Sequence, residues 1–175
     1  MNALAGRRIA KVSGTPGKTR MLNVYEIPLK RGEWYGVDSE ASRAATPHAF
    51  YFLDLPGYGY AKASHTDRRA FRLLISHVLD RARLAGVLWL LDIRREPSDD
   101  DRTMEQLFAE RGTPVLAALT KSDALARTAR TRRAGELRSA LELEEDQMIV
   151  TSARKSEGIE ELREAVAGLI RKQGA

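Results

Sequence analysis

The chain of 175 residues has no cysteine, which excludes disulfides, thiolate metal sites and a cysteine nucleophile and suits a reducing compartment. Histidine is nearly as scarce. His48, His65 and His77 are too far apart for a common metal-ligand spacing, so no catalytic zinc is expected and each reads as ordinary surface or core histidine. No apolar run approaches membrane-spanning length, and the first residues pass into Arg7 and Arg8 without the hydrophobic stretch of a secretion signal. The expectation is a cytoplasmic protein with neither membrane nor DNA among its partners. What is present is a hydrophobic content of 43%, enough for one well-formed core, and a formal charge of +5. That charge fits an anionic partner such as RNA and fits a solvated basic surface equally well.

Short β-branched and apolar runs alternate with longer segments of helical period, the pattern of an α/β fold with a mainly parallel sheet flanked by helices. Strands are predicted over residues 21–29, 49–55, 86–93, 114–119 and 147–150, and helices over 68–84, 99–111, 129–141 and 158–170. In the first helix Phe71, Leu74, Ile75, Val78 and Leu79 recur at three-to-four spacing and form one core-facing stripe. The run from Val87 to Leu91 is apolar at every position, which predicts a strand in mid-sheet, buried from both sides. Asp99, Asp100 and Asp101 follow Ser98 at a helix start, where capping and the helix dipole account for them better than a metal does. Residues 30–48 form a polar excursion with no period, read as a surface insertion between two strands of a single domain spanning 1–175. Trp34 and Tyr35 at its root fit packing on the sheet edge better than a partner contact.

Chemistry concentrates in a few loops beside predicted strands. Asp54-Leu55-Pro56-Gly57 stands at a strand's carboxyl end, where ligand crevices of open α/β sheets lie. An aspartate there can hold a magnesium-bound water, and Gly57, lacking a side chain, lets its backbone N–H approach a terminal phosphate. The same pattern arises about once by chance in a chain of this size and serves as an ordinary strand-to-turn exit. Thr120-Lys121-Ser122-Asp123 follows the fourth strand and is much rarer by chance. The two oxygens of Asp123 can accept from the ring N–H and exocyclic amine of guanine, and Lys121 can lay its stem over the base; a polar loop after a strand is the other reading. Thr151-Ser152-Ala153 closes the last strand with small side chains that would let backbone N–H groups reach a guanine carbonyl. Gly17-Lys18-Thr19 lies in a turn-rich basic segment before the first strand, where a hydroxyl can complete magnesium coordination or simply form a turn.

Taken together, these segments resemble one family. DLPGYGYAK at 54–62 is similar to the hallmark of the EngB GTPases of bacterial ribosome assembly, VSGTPGKTR at 12–20 to their first switch, LTKSD at 119–123 to their guanine motif and TSARKSEGIEEL at 151–162 to their last base-contacting loop. The similarity covers nearly the whole chain. It implies a P-loop GTPase-type domain that binds GTP and GDP with Mg2+, hydrolyses GTP, works on the large ribosomal subunit and its RNA as a monomer, and affects division and septation. Thr19 would ligate magnesium, with Asp54 behind it, and Gly57 would sense the terminal phosphate. Gly17, Lys18, Leu55 and Pro56 would complete the phosphate side. Lys121 and Asp123, flanked by Thr120 and Ser122, would select guanine, with Thr151, Ser152 and Ala153 supporting from the opposite side. Tyr58 replaces the water-orienting glutamine of many GTPases, which predicts slow intrinsic turnover and activation by the ribosome.

No Gly-x-x-x-x-Gly-Lys-Ser/Thr occurs in the sequence, although that loop supplies the backbone cradle for nucleotide phosphates. Asn2-Ala3-Leu4 matches the family's stretch just after the loop, so the expectation is a domain truncated at its N-terminus, lacking the first strand and the phosphate loop. Two strands would then carry unpaired edges and aggregate readily. A nucleotide-independent RNA- or ribosome-binding module is the alternative, with Arg127, Arg130, Arg132 and Arg133 as its basic surface.

Overall fold

The computed structural model describes residues 1–10, 22–28, 49–57 and 65–174, and these divide into two compact units, Met1–Leu84 with Ile170–Ala175, and Ala85–Leu169. The 30–48 excursion, with Trp34 and Tyr35, lies outside the described residues.

In the first unit a short helix, α1 (Asn2–Ala5), stops at Gly6 in the left-handed conformation. The Asn2 side chain then gathers the following segment: its Oδ1 accepts from the amides of Ile9 and Ala10 at 2.9 and 2.8 Å. Strands β1 (Asn23–Pro28) and β2 (Ala49–Asp54) pair antiparallel, with Asn23 opposite Asp54 and Ile27 opposite Phe50. Side chains alternate across a strand, so Ile27 and Phe50 share a buried face while Val24 and Tyr51 face outward. Helix α2 (His65–Leu79) buries Ile75, Val78 and Leu79, the core of the stripe expected from the sequence. It ends five residues before the predicted limit of 84 because Asp80, Arg81, Ala82 and Arg83 are all exposed and offer nothing to bury.

The second unit is built on three parallel strands in the order β3 (Val87–Asp92), β4 (Val115–Thr120), β5 (Met148–Val150). Helices α3 (Asp99–Glu110), α4 (Arg127–Ala140) and α5 (Ile159–Gly174) alternate with them. Leu116, Ala117, Ala118 and Leu119 are all buried, so β4 is the strand covered on both faces. This corrects the expectation for the run from Val87 to Leu91. Among the described residues β3 is an edge strand, and Leu90 is 57% exposed while Trp89 and Leu91 are buried. An unbroken apolar run cannot distinguish two-sided burial from a strand with one face covered. Trp89 meets Phe108 of α3 edge to face, with ring centroids 5.6 Å apart. The acidic run opens α3 as expected: Ser98 Oγ accepts from the Asp101 amide, and the Asp101 carboxylate accepts the Ser98 amide at 2.7 Å, a reciprocal capping box. No described helix is long and apolar enough to cross a membrane.

Candidate functional site

The carboxyl ends of β4 and β5 carry two loops that are stitched to each other by backbone and side chain. Past the end of β5 the ladder continues, with the Thr151 amide donating to Leu119 O at 2.8 Å and the Ser122 amide donating to Thr151 O at 3.1 Å. The Thr151 hydroxyl, buried, also donates to Leu119 O. Thr120 turns its hydroxyl the other way, to Leu91 O of β3 at 2.9 Å. Thr120 and Thr151 therefore both fasten strands together. After Thr120 the chain turns sharply: Lys121 is left-handed (φ 62, ψ 31), and Ser122–Ala124 form a 3₁₀ turn in which the Ala124 amide donates to Lys121 O.

That turn presents Asp123, and the neighbouring loop fixes it. Ser152 is completely buried, and its hydroxyl donates to Asp123 Oδ1 at 2.6 Å while accepting from the Lys155 amide at 3.2 Å. Ser152 and Glu157 exchange both backbone hydrogen bonds, which closes 152–157 into a tight loop. The Ser152 hydrogen bond, with the positive charges of Arg154 and Lys155, holds the Asp123 carboxyl below its ordinary value. Asp123 thus stays an acceptor-only group through neutral and mildly acidic pH, with lone pairs to spare for two further donors. Ser122 is buried, and its hydroxyl alone among buried described side chains has no hydrogen-bond partner. Ala153 is exposed at the loop's outer turn.

Lys121 directs its ammonium to Asp92 Oδ2 at 3.0 Å. Asp92, the last residue of β3 and opposite Thr120 in register, is itself gripped by Arg94: Nε to Oδ1 at 2.8 Å, Nη2 to Oδ2 at 2.7 Å and the Arg94 amide to Oδ1 at 3.1 Å. These donors, the Arg94 side chain foremost and then Lys121, push the Asp92 carboxyl far below the usual carboxylate range. Sequence reasoning singled out neither Asp92 nor Arg94. The available signal was a carboxylate at the carboxyl end of a strand, the same position that drew attention to Asp54 and Asp123.

In the first unit, Asp54 ends β2 opposite Asn23, Leu55 and Pro56 follow without regular structure, and Gly57 is exposed. Gly17, Lys18, Thr19 and Tyr58 lie outside the described residues. The arginines expected to form a basic surface on α4 are mostly engaged within the fold. Arg133 is buried and donates to the carbonyls of Ile93 and Arg95 and to the carboxylates of Glu96 and Glu136. Arg130 binds Leu125 O and Glu157, and Arg132 pairs with Glu136; Arg127 is exposed. Three of the four are thus paired with local carboxylates, something invisible in a list of positive residues.

A parallel sheet with helices between its strands is the α/β architecture of P-loop GTPase-type domains. The family described as 50S ribosome-binding GTPase matches residues 1–121. A probable GTP-binding protein EngB of Syntrophomonas wolfei is 36% identical over 172 residues, covering 97% of this chain and 79% of that protein. Its counterpart in Gemmatimonas aurantiaca is 35% identical over 172 residues, covering 97% and 75%. The chain belongs to the EngB family of GTPases. The crystal structure of a probable GTP-binding protein engB shares its fold, with a TM-score of 0.59 at 19% identity over 70% of this chain and 77% of that one.

Proposed function

We propose that the chain is a guanine-nucleotide switch of a single G domain, which binds GTP and GDP, hydrolyses GTP slowly and acts in the cytoplasm as a monomer on the large ribosomal subunit. The observation that carries this reading is the Asp123 carboxylate, held in its ionised form by the buried Ser152 hydroxyl at the carboxyl end of β4. Guanine presents two donors on one edge, the ring N–H and the exocyclic amine, and a fixed carboxylate accepts both. Adenine offers a bare ring nitrogen in the corresponding place, so it would leave an acceptor facing an acceptor. A site built to pair with substrate donors rejects analogues that lack them by about 10³-fold or more. Displacement of a fluorescent GDP from the chain should therefore require far more ADP than GDP. Equal displacement by the two, or no binding of the GDP probe, would sink the proposal.

Mg2+ belongs to the same reading. Asp54 and Thr19 would serve it, one carboxylate at the exit of β2 and one hydroxyl. That sparse donor set suits an ion that keeps several waters and takes its other ligands from nucleotide phosphates. When bound, the ion would neutralise charge on the phosphates. The ribosomal partner is supported by the family's description, and normal division and septation would depend on it indirectly. Binding is expected to show as co-sedimentation with large subunits that GTP strengthens relative to GDP; sedimentation indifferent to nucleotide would remove the switch from the proposal. The net charge of +5 fits a second reading, a nucleotide-independent RNA-binding module. The same GDP titration separates the two.

A further inference from the structure

The Lys121 side chain is held at both ends. Its α-carbon is set by the left-handed turn, which the Ala124 amide closes on Lys121 O and the Thr120 hydroxyl buttons to β3. Its ammonium, 3.0 Å from Asp92 Oδ2, is set by a carboxylate that cannot swing away, because Arg94 holds both of its oxygens and contributes its amide as well. Between these two ends run four methylenes with the side chain 60% exposed, an apolar bar lying open beside Asp123. A free lysine stem samples many rotamers and would have to be ordered when a flat ring settles on it. A stem already stretched between two anchors avoids that cost, which is how preorganisation raises affinity.

We infer that Asp92, clamped by Arg94, is a positioning residue for nucleotide recognition: it stretches Lys121 so that its stem forms the surface on which the guanine ring lies. The inference rests on the guanine-binding reading given above and adds to it the residues that prepare one wall of the base site. Asp92 touches no nucleotide. Its contribution runs entirely through Lys121, and this sets it apart from an ordinary ion pair, whose loss would act on stability alone.

The test is a double-mutant cycle on the full chain, read by titration with fluorescent GDP and by competition with GDP and IDP. Asp92→Asn is expected to weaken GDP about three- to tenfold, the scale of one partly exposed ion pair together with the lost ordering of one long side chain. IDP, which lacks the exocyclic amine but has the same ring face, should weaken by the same factor, whereas a change at Asp123 would alter the ratio between the two. Once Lys121 is already alanine, Asp92→Asn should change affinity by less than about twofold. Arg94→Gln, at a side chain 45% exposed, should give a smaller loss in the same direction, again silent in the Lys121→Ala background. Wild-type affinity in Asp92→Asn, or an equal loss with and without Lys121, would overturn the inference while leaving guanine recognition intact. If the unmodified chain does not prefer GDP to ADP, the guanine reading falls first and this one with it.

Discussion

Asp123→Asn is expected to lower affinity for GDP by about two to three orders of magnitude, the largest effect on binding of any single change in the molecule. The reason is the direction of the Ser152 hydrogen bond. Ser152 Oγ donates to Asp123 Oδ1 and already accepts from the Lys155 amide, so an asparagine would keep its carbonyl oxygen toward Ser152 and turn its amide nitrogen to the other position. An edge that offered two acceptors would then offer one acceptor and one donor. Guanine, with two donors, no longer matches; xanthine, with a ring N–H beside a carbonyl oxygen, does. Competition titrations with GDP, XDP and ADP would show GDP falling, XDP rising and ADP unchanged. If GDP and XDP fell together, the variant would be reporting a collapsed loop, and an unchanged preference for GDP would remove Asp123 from base recognition.

Local sequence patterns survive folding in this region. Strands β3, β4 and β5 lie within one residue of their predicted limits, and α3 and α4 within two at each end. Apolar runs bounded by turn residues, and a serine placed to cap α3, are signals that neighbouring residues alone create. The expectation for α2 overran its end because the apolar stripe stops at Leu79 and the exposed residues after it bury nothing. Of the candidate site, Lys121, Asp123 and Ser152 were legible as motif positions, but the hydrogen bond that joins Asp123 to Ser152 was not. What could not be read was the burial of Arg133 against Ile93, Arg95 and Glu96, or the reach of Lys121 to Asp92. Each joins residues about thirty to forty apart, and no local pattern encodes such a pair. The same limit explains the arginines of α4: their spacing marks a basic stripe, but only the fold reveals that Glu136 and Glu157 neutralise much of it.

The largest expected effect on stability belongs to Gly158, the residue that returns the Ser152 loop to α5. Its backbone is left-handed (φ 67), a conformation that costs any other residue about 1 kcal/mol or more. The steric demand is sharper still. A Cβ at this position would stand 2.3 Å from Val150 O and 3.4 Å from Thr151 Cγ2, so the obstruction is backbone of β5, which cannot rotate aside. Gly158 O meanwhile accepts the Leu162 amide in the first turn of α5, whose Ile159, Leu162 and Val166 are buried. Relieving the clash means lifting that turn off the end of β5 and pulling apolar side chains out of the core. Gly158→Ala is therefore expected to destabilise the protein by about 2–4 kcal/mol, strain and overpacking together, seen as a lower denaturation midpoint with an unchanged denaturant slope. Because Glu157 pairs with Ser152 one residue away, the loop carrying the Ser152 hydroxyl should shift too, and GDP affinity should fall even where the variant remains folded. A variant within about 0.5 kcal/mol of the parent would mean that the loop does not press on β5 as described, and that Ser152 owes its position to something other than the glycine behind it.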